Sequence, residues 1–216
     1  MRKLILAAAV LALFVMPALA DMEVQMHSTG GGSPYVATVR DVAIPGHAVG
    51  TSFDTFCLEE VEYFYEGHTY HLTLDPYAIR GGTDSDSTMG DGKDYVDIRT
   101  AWLYGNYLAS TGGVSAYSAN QIQDVIWYIE AEKSLSSLTT PEKDLLALAD
   151  AGGAVWGTDF HGVMAMNLFG NSGDFNPAQS QLVQVPTVVE VPAPGAVLLG
   201  ALGLGLVGLI RNRRKA

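Results

Sequence analysis

The sequence predicts an α+β fold with one ectodomain: N-terminal strands and a hairpin, a central helical part and a closing strand, followed by one C-terminal transmembrane helix. Two observations lead to it. The hydrophobic spacing changes from a period of two to steps of three and four near residue 98, and returns to a strand-like run near residue 182. Both ends are apolar segments bounded sharply by charge, which sets them apart from the stretch between. That stretch, residues 21–185, has the size of a single domain.

The first segment is a leader. Met1-Arg2-Lys3 is cationic, Leu4 to Met16 is uninterrupted apolar sequence, and Pro17-Ala18-Leu19-Ala20 precedes the polar start Asp21-Met22-Glu23. A basic start, an apolar core and an A-x-A site make residues 1–20 a secretory signal peptide cut after Ala20. The apolar run falls short of the roughly 20 residues a bilayer needs, and Pro17 would break it.

Val24 to Ile44 is strand-like, with Tyr35, Val36, Thr38, Val39 and Val42 lying between breakers at Gly30-Gly31-Gly32 and Pro45-Gly46. Phe53 to Tyr65 follows with Phe56, Leu58, Val61, Tyr63 and Tyr65. Glu66-Gly67 reads as a turn, and Tyr70, Leu72 and Leu74 alternate after it. These two runs predict a hairpin with Cys57 on its first strand. Gly81 to Asp94 is expected to be loop.

Helical spacing begins with Ile98, Ala101, Trp102, Gly105 and Leu108, and resumes with Ile122, Val125, Ile126 and Ile129. Ser118 and Gln121, three apart, form a capping-box pattern. Thr140-Pro141 opens a third helix through Ala149, which Gly152-Gly153 is expected to stop. Val163 to Phe169 is apolar and ambiguous in type. Leu182 to Val189 reads as the last strand. No internal repeat is present.

Charge narrows the function classes. All 23 acidic residues lie between Asp21 and Glu190, opposed only by Arg40, Arg80, Lys93, Arg99, Lys133 and Lys143, a net of −17. That field repels nucleic acid and anionic lipid, so no nucleic-acid partner is expected. The single cysteine, Cys57, cannot form an internal disulfide, and an odd thiol in an exported chain calls for another explanation.

At the other end, residues 186–194 form a Pro-rich stem and residues 195–210 are free of charge. Residues 211–216 carry Arg211, Arg213, Arg214 and Lys215. From Ala193 the apolar stretch has 18 residues, roughly 27 Å of helix, enough for a thin hydrocarbon core. The basic end would stay cytoplasmic, leaving the ectodomain on the far side of the inner membrane. The order Val191-Pro192-Ala193-Pro194, glycine-rich apolar helix and arginine cluster resembles the PEP-CTERM sorting signal of Gram-negative bacteria. Ala193 stands where that family usually has glutamate. The resemblance implies transient anchoring, processing by an exosortase-type protease, and delivery to the cell surface or exopolysaccharide matrix.

Within the ectodomain, Thr55-Phe56-Cys57-Leu58-Glu59 and Ile122-Gln123-Asp124-Val125-Ile126-Trp127 carry a second resemblance. With Ala101-Trp102-Leu103-Tyr104 and Gln181-Leu182-Val183 they are similar, over roughly residues 53 to 185, to the Cys-Gln thioester domain of bacterial surface proteins. Val125 departs from the alanine common in that family's helical segment. The resemblance implies that the Cys57 thiol displaces ammonia from the Gln123 carboxamide, leaving an acyl group that an amine or hydroxyl on a target surface can capture. Gln121 competes for the role but already serves the capping box, whereas Gln123 sits at the rim of the apolar stripe. A buried cysteine behaving as a small hydrophobe is the alternative, and a non-covalent matrix component the corresponding function.

The remaining motifs are weaker. Asp84 to Asp91 fails the EF-hand pattern, because positions six and twelve hold Met89 and Tyr95. A solvated acidic loop is expected there, with a loosely bound cation as the alternative. His68 and His71, across a turn from Cys57, leave open a cysteine-dependent hydrolase. His27, His47 and His161 lack zinc spacing. The expectation is a non-enzymatic protein with neither metal nor cofactor.

Overall fold

The computed structural model describes residues 21–79, 93–170 and 178–187. The signal peptide, the acidic loop 84–91, the sorting motif, the spanning segment 195–210 and the basic end lie outside them. The chain divides into two units, residues 1–185 and 186–216; the architecture below belongs to the first.

Among the described residues, eight strands and three α-helices make the fold, which is α+β. In order they are β1 (Glu23–Ser28), β2 (Tyr35–Val39), β3 (Ser52–Thr55), β4 (Thr69–Asp75), β5 (Tyr77–Ala78), β6 (Asp94–Tyr95), α1 (Ile98–Ala109), α2 (Ala119–Ile129), α3 (Thr140–Trp156), β7 (Val163–Phe169) and β8 (Gln181–Gln184). Six strands form one antiparallel sheet in the order β3-β2-β1-β4-β7-β8, while β5 and β6 pair separately. The sheet curls until its edges meet beyond β3. The Leu182 amide donates to the Phe56 carbonyl at 2.9 Å, the Leu58 amide to the Ser180 carbonyl at 3.0 Å, and Cys57 faces Gln181 between them. The closure is a single bridge just past β3, and it shortens the unpaired edges that would otherwise invite aggregation.

The two faces of the curled sheet bury different cores. Val24, Met26, Ala37, Val39, Tyr70, Leu72, Met166, Leu168 and Val183 pack together on one side. Phe56, Leu58, Val163, Ala165 and Leu182 face the helices on the other, against Leu103, Tyr104, Ile122, Ile126 and Leu145. Alternation along each strand sends neighbouring residues to opposite cores: Leu182 goes to the helices and Val183 to the barrel.

Each helix starts where its capping residues lie. Asp97 accepts the Arg99 amide at the head of α1 at 2.8 Å. Ser118 and Gln121 make the expected reciprocal box on α2, and Thr139 with Glu142 makes another on α3.

Two expectations are corrected. Helix α3 runs through Gly152-Gly153 to Trp156 instead of stopping before them. A β-carbon at Gly152 would lie 2.0 Å from the Trp102 ring, and one at Gly153 would lie 2.9 Å from the Arg99 side chain. The glycines therefore let α1 and α3 approach closely. The hairpin joining the Cys57 strand to residues 69–74 does not form either. β4 pairs with β1 and β7, and β3 pairs with β2, so two strands separate them. Period two identifies a strand but not its partner. Here the Val24 side of β1 offers β4 a matching apolar face, with Val24 opposite Tyr70.

Candidate functional site

Cys57 lies in the extension of β3, fully buried, where the curled sheet closes. Its main chain is not bonded to its facing residue, since the flanking positions make the ladder bonds. Such a non-hydrogen-bonded pair brings facing side chains closest in an antiparallel ladder. Gln181 is that facing residue and is also fully buried. Its Nε2 lies 3.2 Å from the Cys57 Sγ, and its Oε1 accepts from the thiol at 3.6 Å. The carboxamide thus straddles the sulfur.

Gln123, on the buried face of α2, meets the other side of the same residue. β2 begins only at Tyr35, so the outward-turned amide and carbonyl of Cys57 have no strand to pair with. The Gln123 side chain takes that place: Oε1 accepts the Cys57 amide at 2.9 Å, and Nε2 donates to the Cys57 carbonyl at 2.7 Å. The Ser33 hydroxyl donates to Gln123 Oε1 at 3.0 Å. The Ser33 amide donates to Asn120 Oδ1 at 2.9 Å, tying the β1–β2 loop to the head of α2. The structure therefore brings Cys57 and Gln123 together through the Cys57 main chain. The carboxamide at the sulfur belongs to Gln181.

The polar groups around the thiol form a buried chain. Gln181 Nε2 also donates to Gln179 Oε1 at 3.3 Å, and Gln179 Nε2 donates to the Glu59 carbonyl at 2.6 Å. Burial pushes the Cys57 thiol well above its ordinary range, so it rests protonated. Burial likewise raises the Tyr35 hydroxyl, which is within hydrogen-bonding reach of the thiol. Tyr35 is held by the edge of the Phe64 ring, with centroids 4.9 Å apart. For a thioester to form here, the Cys57 thiol would have to give up its proton as the sulfur attacks the carboxamide carbon, and the departing ammonia would carry that proton away.

The histidines lie elsewhere. His71 approaches Glu23 Oε1 at 3.2 Å and His68 stacks on Tyr65, both on the β4 side. Among the described contacts of Cys57 there is no histidine. His27 lies 3.4 Å from Glu66, His47 bonds the Gln184 carbonyl, and His161 packs on Trp156. Among the described residues no group of three His, Cys, Asp or Glu side chains could hold a metal ion, and no helix is long and apolar enough to cross a membrane. A cavity of about 780 Å³ opens between the start of α1 and the segment before β7, lined by Tyr95, Asp97, Phe160 and His161. It includes none of Cys57, Gln123 or Gln181.

Sequence reasoning named Cys57 as the thiol and Gln123 as the acyl donor; the structure puts Gln123 on the Cys57 main chain, and the placement of Gln181, Gln179, Ser33 and Tyr35 was not foreseen. The usable signal for Gln181 was a glutamine at the start of the closing strand, two residues before Val183 and so on the same face. No protein-family description matches the chain, and no curated protein or solved structure is significantly similar to it.

Proposed function

We propose that this chain is an exported surface or matrix protein whose barrel holds a latent acyl group, a thioester between Cys57 and a glutamine side chain, for covalent attachment to a target. The observation that carries this reading is the Gln181 carboxamide straddling the Cys57 sulfur, with nitrogen at 3.2 Å and oxygen at 3.6 Å. These are hydrogen-bond contacts to the amide nitrogen and oxygen, and they hold the carboxamide beside the sulfur. A small turn of the side chain that brings the carboxamide carbon to the sulfur would make the reaction a unimolecular step. On this reading Gln181 is the acyl donor and Gln123 holds the Cys57 main chain in register. The sulfur–carbon bond forms, the carbon–nitrogen bond breaks, and the thiol proton leaves on ammonia. An incoming amine or hydroxyl then takes the acyl group and returns its proton to the sulfur.

Intact-mass measurement tests the bond. The purified chain is expected to be lighter by one ammonia, with the deficit abolished in Cys57→Ala and Gln181→Ala. Peptide mapping under acidic conditions should recover the residue-57 peptide joined to the residue-181 peptide. A join to the residue-123 peptide would transfer the donor role to Gln123, and an unshifted wild-type mass would reject the thioester.

A second reading has its own support: full burial and a thiol raised out of its ionising range also suit a structural cysteine in a non-covalent matrix component. An unshifted mass, with Cys57 slow to alkylate in the native chain and quick once it is unfolded, would select it. The delivery half of the proposal rests on the order of residues 191–216, read as a sorting tail for an exosortase-type protease. Deleting that tail should move the ectodomain from the membrane fraction to the periplasm or medium; unchanged fractionation would refute it.

A further inference from the structure

Two residues beyond Cys57, Glu59 is fully buried and takes no part in the exchange described above. Its carboxyl replaces a rung of the ladder. In a regular antiparallel pair the Ser180 amide would bond the Leu58 carbonyl; here it donates to Glu59 Oε2 at 2.7 Å. The Glu59 main-chain carbonyl accepts Gln179 Nε2 at 2.6 Å, and Gln179 Oε1 accepts Gln181 Nε2 at 3.3 Å. One residue therefore grips the segment 179–181 both at its main chain and through the side chain that touches the Gln181 carboxamide.

Glu59 Oε1 is buried without a hydrogen-bond partner among the described residues. A carboxylate there would leave charge in an apolar setting, with Asp94 of β6 as an acidic neighbour and the Cys57 thiol on its own strand. Burial pushes the Glu59 carboxyl well above its ordinary range and so favours its neutral form, a hydrogen-bonding strut in which Oε2 still accepts the Ser180 amide.

We propose that Glu59 is a positioning residue for the thioester: its buried carboxyl seats Ser180 and, with Gln179, turns the Gln181 carboxamide onto the Cys57 sulfur. The role rests on the thioester reading and needs a hydrogen-bond acceptor at Glu59 but no negative charge.

The full chain is compared as wild type, Glu59→Gln, Glu59→Leu and Gln179→Met. Two readouts are used: the fraction lighter by one ammonia, and the rate at which iodoacetamide alkylates Cys57 under native conditions. Glu59→Gln keeps the acceptor and is expected to match wild type. Glu59→Leu fills the same space without it, and Gln179→Met cuts the link to Gln181. Each should lower the bonded fraction at least about tenfold, since misplacement by about 1 Å can cost far more in rate. Thermal unfolding of each variant checks that it is folded; if Glu59→Leu is not, Gln179→Met decides.

A wild-type bonded fraction in the folded Leu and Met variants overturns the proposal. So does loss of the bond in folded Glu59→Gln, which would mean that acid or charge chemistry at Glu59 is required. If wild type itself shows no ammonia loss, the thioester reading fails, and alkylation still tests the strut. Cys57 should then react faster in Glu59→Leu than in wild type or Glu59→Gln, and equal rates refute the seating as well.

Discussion

Burial acts on charge at single residues, and Glu130 shows how strongly. It caps the C-terminus of α2 and its Oε1 accepts the Asp97 amide, at the head of α1, at 3.2 Å. A helix N-terminus favours a negative charge, yet burial and the neighbouring Asp94 and Asp97 outweigh that preference and push the Glu130 carboxyl up to about 8. Its folded value thus lies above the ordinary 4.5. The folded state then keeps a proton that the unfolded chain releases. Its stabilisation is complete below about pH 4.5 and lost as pH rises through about 8. Glu59, raised in the same direction, contributes with the same sign. Glu130→Gln should therefore flatten the fall in stability between pH 5 and 8, removing up to about 1.4 kcal/mol per pH unit. Urea midpoints across that range provide the check; parallel curves for variant and wild type would show that Glu130 is not protonated in the fold.

At the scale of elements, the contact between α1 and α3 sets helix propensity against packing. Alanine in a helix interior is favoured over glycine by about 1 kcal/mol, so sequence alone would recommend Gly152→Ala. The added β-carbon would fall 2.0 Å from the Trp102 ring, far inside contact distance. Overpacking costs about 1–3 kcal/mol, and Trp102 is itself buried among α1 and α3 residues, so the clash wins. Gly152→Ala should lower the denaturation midpoint, and an increase would refute the packing account. The same pair shows what the sequence could and could not reveal. Capping chemistry is local, so Ser118 with Gln121 could be read directly. Whether a glycine ends a helix or admits a neighbouring ring depends on a helix some fifty positions away. Strand partners were hidden for the same reason: alternation in residues 69–74 announces β4 but not β1 and β7 beside it.

Across the whole molecule, the candidate site is the seam of the barrel. Legibility stopped there because Cys57 and Gln181, 124 positions apart in sequence, become neighbours only once the curled sheet closes. Gln123 was singled out by its local motif on α2, although it lies on the buried face of that helix and not at the rim expected from the spacing. At the seam the proposed thioester would also be a crosslink, with a consequence for stability that the chemistry alone does not give. Joining residues so far apart restricts the unfolded chain much as a disulfide does, about 4–5 kcal/mol for a loop on the order of 100 residues in the chain-entropy view. A bond from Cys57 to Gln123 would span 66 positions, and a twofold change in loop length alters the effect by only about 0.6 kcal/mol. Stability therefore reports whether the bond exists and cannot say which glutamine made it, so peptide mapping must carry that assignment. Hydroxylamine, which opens thioesters, should lower the denaturation midpoint of the wild-type chain and leave Cys57→Ala unchanged. Equal midpoints before and after treatment, with the ammonia deficit shown to be present beforehand and cleared afterwards, would mean that the bond decorates a barrel already held shut by its ladder.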